Sequence, residues 1–139
     1  MPVSFRILPK HGLVYVRYEG HQRMEESLRI FSEYARHPDR RPGQKQLVDL
    51  SRLTGFENDF PKLFELQAKK AEVFMDPSVQ TLLVYYAPTK LAFDLALLAE
   101  RSWRPFSFVV SLVQETEADA LSLLGLRERS LDQLLQSVS

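Results

Sequence analysis

Residues 46–59 read QLVDLSRLTGFEND, and their reading decides the fold. The stretch opens on a short apolar run at positions 47–50 that contains Asp49, crosses polar residues and Gly55, and ends on Asn58 and Asp59. Asn and Asp are preferred at helix N-caps, and Pro61 then falls in a first helical turn, where its missing amide proton is of little consequence. In isolation, positions 47–50 suit a strand or a helix, but their place between two helical patterns favours a buried strand. In an α/β protein, a strand that ends in an acidic residue and opens through a loop into a helix sets side chains where ligands and partners dock. The expectation is a strand closing at Asp49, a polar loop, and a rim made of Asp49, Ser51, Thr54, Glu57, Asn58 and Asp59.

Upstream, residues 4–8 and 13–18 are rich in β-branched and aromatic side chains around the Pro9-Lys10-His11-Gly12 turn, which predicts a β-hairpin. Gly20 breaks that pattern. Met24, Leu28, Phe31 and Ala35 then recur at one face of a helix ending near Arg36, and Pro38, Pro42 and Gly43 mark the following loop. Downstream, Phe60, Leu63, Phe64, Ala71 and Phe74 line one face of a second helix, stopped at Asp76-Pro77-Ser78. Residues 79–86 form a nearly unbroken apolar run, as expected of a strand covered on both faces. A third helix spans 90–103, where Asp94 is the only polar residue between Leu91 and Ala99, so its apolar surface extends beyond one side. Residues 107–113 read as the last strand. Thr116 caps a helix that Gly125 closes, and 130–138 forms a short terminal helix. The order β-β-α-β-α-β-α-β-α describes one α/β domain over 1–139, with a five-stranded, mostly parallel mixed sheet and a single antiparallel hairpin strand.

A chain of 139 residues suffices for one continuous core. Eighteen basic and eighteen acidic residues cancel, which removes any general drive toward nucleic acid or anionic lipid. No cysteine is present, so disulfides and thiol chemistry are excluded. No apolar run approaches the roughly 18 residues of a membrane span, and the opening MPVSFRILPKHG lacks a signal-like segment, so the expected location is cytoplasmic. His11, His21 and His37 share no helix-face spacing, and no metal site is expected. The glycines are scattered, without a phosphate-binding loop, and no G-x-S-x-G elbow occurs. Neither a cofactor nor catalysis is expected. Ser51 with His21 as base is conceivable, but no spacing demands it. The Arg36, Arg40, Arg41 and Lys45 cluster, interrupted by Asp39, reads as a solvated loop at the opposite sheet end.

This element order, together with LVDLSRLTGF entering a helix and the ending EADALSLLGL, resembles the STAS domain of bacterial anti-sigma-factor antagonists, in its divergent SpoIIAA-like branch. The resemblance covers nearly the whole chain. It implies strands laid side by side in chain order, with helices mainly on one face. In signalling STAS domains the loop after this strand reaches an aspartate and a serine pair, the second serine being phosphorylated. Laid without gaps from Asp49, those positions hold Glu57, Asn58 and Asp59, so the phosphorylatable serine is absent and Asp59 either mimics the modified state or caps a helix.

Two functions follow from the resemblance. One is a non-catalytic regulatory module that binds a protein partner, as a homodimer, through the rim of Asp49, Ser51, Thr54, Glu57, Asn58 and Asp59, joined by Thr89 and Lys90. The other is a carrier of an apolar or lipid-like ligand under the third helix. Tyr85, Tyr86, Phe93, Leu97 and Trp103 are the candidates for ligand or dimer contacts.

Overall fold

A computed structural model describes residues 3–75 and 79–137. Among these, β1 (Val3–Leu8), β2 (Leu13–Gln22), β3 (Lys45–Phe56), β4 (Thr81–Tyr86) and β5 (Val109–Gln114) form one sheet in the order β1-β2-β3-β4-β5. β1 pairs antiparallel with β2 through a turn of 3-10 helix at Pro9–His11, and the remaining neighbours are parallel. The helices are α1 (Met24–Ala35), α2 (Phe60–Phe74), α3 (Lys90–Trp103), α4 (Glu117–Leu123) and α5 (Leu131–Gln136). The expected order, the mostly parallel sheet and the hairpin are all present. The proposed stop at residues 76–78 and the end of the last helix at 138 lie outside the described residues.

Period-two alternation gives the sheet two apolar faces. Val14, Val48, Leu83, Tyr85 and Val109 face α1, α2 and α3. Leu13, Tyr15, Leu47 and Val84 face the other way and are covered by Leu121, Leu124, Leu131 and Leu134 of the last two helices and the turn between them. The cover is fastened where Lys45 Nζ donates to Leu124 O at 2.9 Å, at the carbonyl end of α4, the end that attracts cations. Gly125 follows with φ +74°, closing that helix as its sequence predicts. The longer helices therefore share one face, and the second face is roofed by the short terminal pair.

Three sequence expectations need correction. Asp49 does not close β3, which runs on through SRLTGF to Phe56. Gly20 does not end β2, which reaches Gln22. The two extensions pair with each other, Glu19 opposite Arg52 and His21 opposite Gly55, across register shifts around Gly20, whose φ of +75° a side chain would disfavour. Polar residues here adopt strand geometry because each extension supplies the other's backbone partners, a tertiary effect that local propensity does not report. On α2, the inward face is Leu63, Leu66, Gln67, Ala71 and Phe74, while Phe60 and Phe64 point outward, 37% and 36% exposed.

Candidate functional site

The expected rim is only partly a rim. Asp49 sits mid-strand and is 3% exposed, where it accepts a hydrogen bond from the Tyr15 hydroxyl at 2.5 Å and one from Ser51 N at 2.9 Å. Burial first, and then this bond to Asp49, push the Tyr15 phenol well above its usual range, so it stays protonated and donating. Asp49 is therefore a structural carboxylate in the second face rather than a docking group. Ser51 is half-buried beside it, and Thr54 is exposed further along β3. His21 lies opposite Gly55, four residues beyond Ser51, or roughly 13 Å of strand, so the imagined Ser–His pair is not assembled.

Glu57, Asn58 and Asp59 do stand at the turn into α2. Asp59 Oδ1 accepts from Lys62 N at 3.0 Å as the N-cap. Glu57 ties two helices together. One carboxylate oxygen accepts from Met24 N at 2.9 Å, giving α1 the cap that Arg23 does not provide, and the other accepts from Lys62 Nζ at 2.9 Å. These bonds, the Met24 amide first and the Lys62 ammonium second, hold the Glu57 carboxyl below its usual range. Thr89 caps α3 by accepting from Ala92 N, and Lys90 pairs with Asp94 one turn on; both are exposed.

The other feature lies inside. Between the first sheet face and α1, α2 and α3 is a cavity of about 80 Å³. Its walls are mostly apolar, among them Val48, Leu66, Leu83 and Phe74, with Trp103 and Tyr85 at the α3 side. Of the expected apolar-site residues, Tyr85 and Trp103 therefore reach the cavity. Tyr86 alternates to the opposite sheet face, where burial and then the charges of Glu117 and Asp49 raise its phenol. Phe93 packs into the core away from the cavity, and Leu97 is 43% exposed.

Polar groups that the sequence reading passed over also line this cavity. Tyr18 OH lies 2.9 Å from Ser27 Oγ, which accepts from Gln22 Nε2 at 3.2 Å, while Gln22 Oε1 has no partner. Trp103 Nε1 donates to the Tyr85 hydroxyl at 2.9 Å, and the Gln67 carboxamide bonds the same hydroxyl. Gln67 is 1% exposed and its Oε1 is unpartnered. Lys70 holds its ammonium 5.6 Å from the centre of the Phe31 ring. Burial alone pushes the Lys70 amine down to about 8. Among the described residues no carboxylate pairs with it. The signal was in the sequence. Leu63, Leu66, Gln67, Lys70 and Phe74 recur at the helical period, so two polar residues occupy positions of the inward face.

No protein-family model and no curated protein matches the chain. Among solved structures, the anti-sigma factor antagonist SpoIIAA in its unphosphorylated form aligns over 88% of this chain and 97% of its own, with a TM-score of 0.50 at 13% identity. The chain has the SpoIIAA fold. The side-by-side strand order is thus the one the STAS resemblance implied, and the framework here encloses the cavity described above. Among the described residues no helix is long and apolar enough to cross a membrane. No group of three His, Cys, Asp or Glu side chains there is placed to hold a metal ion.

Proposed function

We propose that this SpoIIAA-like chain is a non-catalytic regulatory module that binds a protein partner at the turn of Glu57, Asn58 and Asp59 and the first turns of α2, and that it acts as a homodimer in the cytoplasm. The observation that carries the reading is the aromatic pair Phe60 and Phe64, exposed one turn apart with ring centres 5.9 Å from each other, directly after that acidic turn. Aromatic side chains left in water beside charged groups have the composition of an interface core with a polar edge. Thr54, Thr89 and Lys90 extend the polar edge at the same end of the sheet. Asp59 occupies the position of the phosphorylated serine and caps α2, so the module works without a phosphorylation switch.

A photo-crosslinking side chain placed at Phe64 tests this in cells. It should trap one discrete protein that the same group at exposed Glu72, further along α2, does not. Identical capture at both positions would refute the docking surface. A second reading, carriage of a small apolar ligand, is supported by the cavity and by the unpartnered polar groups on its walls.

A further inference from the structure

We infer that the cavity beneath α1 and α2 takes a small monocarboxylic acid, with its apolar tail against Val48, Leu83 and Trp103 and its carboxylate held by Lys70 and Gln67. The inference deepens the carrier reading and rests on it.

Three observations converge. The first is charge. The Lys70 cation lines an apolar cavity beside the Phe31 ring with no carboxylate paired to it among the described residues, and a bound anion would supply the missing countercharge. Burial lowers the Lys70 amine only to about 8, so the group is still mainly protonated at neutral pH. The titratable groups facing it across the cavity are Tyr18, Tyr34 and Tyr85, all raised by burial and neutral in that range.

The second is hydrogen bonding. The Tyr85 oxygen already accepts from Trp103 Nε1, so its own proton needs an acceptor, while the Gln67 oxygen has no donor. Turning the Gln67 carboxamide end for end satisfies both groups and makes its N–H₂ the unpartnered end. Lys70 lies three residues along α2, on the same face, so an ammonium and an amide N–H are available for the two oxygens of one carboxylate.

The third is size and access. A space of about 80 Å³ greatly exceeds what one water needs and is about half the roughly 150 Å³ apolar cavity that accommodates benzene. It therefore suits a short tail. Phe31 and Lys70 are the helical lining residues that retain solvent exposure, which places the way in between α1 and α2, with the charged head nearest water.

The single tryptophan lines the cavity and reports occupancy by fluorescence. The intact chain would be titrated with hexanoate, 1-hexanol and acetate, alongside Lys70→Met, which keeps the side-chain volume and suits an apolar wall, and Lys69→Met on the exposed face. Hexanoate should saturate the wild type and Lys69→Met alike. Lys70→Met should bind hexanoate about tenfold or more weakly while binding hexanol unchanged. Wild-type affinity for hexanoate should fall as pH rises through about 8, and that for hexanol should not. Circular dichroism of each variant confirms that it is folded. Equal hexanoate affinity in wild type and Lys70→Met overturns the carboxylate assignment while leaving the carrier reading intact. Acetate binding as tightly as hexanoate overturns the cavity as the site, and failure of both hexanoate and hexanol to bind overturns the inference and the carrier reading together.

Discussion

Lys70 ionises in the folded chain at about 8, against 10.5 for the free side chain, and the difference sets a pH dependence with a definite sign. Below about 8 both folded and unfolded chains carry the proton, and burial of the charge weakens the fold by its full amount. Between about 8 and 10.5 the unfolded chain binds more protons, so stability rises with pH; above 10.5 the penalty is gone. Lys70→Met should therefore be more stable than the wild type by roughly 1–3 kcal/mol at pH 7, with the gap closing by pH 10.5. Urea unfolding at both pH values checks this, and a gap of the same size at both would contradict it. Asp49 makes the opposite case. Its sequence context, an apolar run closing on an acid ahead of a polar loop, suggests a strand end, yet the Tyr15 hydroxyl and the Ser51 amide give its two oxygens partners inside the sheet. Its partner Tyr15 lies 34 residues away, a separation no local pattern registers.

Helices were legible because their signals are local. The Asp59, Thr89, Thr116 and Ser130 caps and the periodic apolar faces place the starts of α2 to α5 as expected. The second halves of β2 and β3 were not, because the polar sequence of each becomes a strand only through pairing with the other. The roof over the second sheet face lay between these cases. Its leucines are evident in the sequence, but which surface they cover is decided by packing. Leu121, fully buried against that face, and Leu123, 42% exposed on the same helix, separate packing from propensity. Leu121→Ala should lower unfolding free energy by about 2–4 kcal/mol, and Leu123→Ala by less than about 0.5 kcal/mol, both measured by denaturant titration. Equal losses would mean that α4 is not the lid described.

At the scale of the whole molecule the two proposed binding surfaces are separate, one outside at the start of α2 and one inside between the helices and the sheet. The proposed homodimer uses neither of them and falls on α3, where Leu97 remains exposed. Native mass spectrometry should give twice the 16.1 kDa chain mass, reduced to one chain by Leu97→Asp and left at two by the double substitution Phe60→Ser and Phe64→Ser. A wild-type protein that stays at one chain at micromolar concentration contradicts the dimer. The inner surface has a constraint of its own. Glu57 pins the first residue of α1 to the first turn of α2, so these two helices cannot slide apart as rigid parallel rods. Room for a guest beyond the existing cavity would come from splaying them about that tether, like a pair of compasses, which makes the Phe31–Phe74 end the part that travels furthest and leaves the acidic turn almost still.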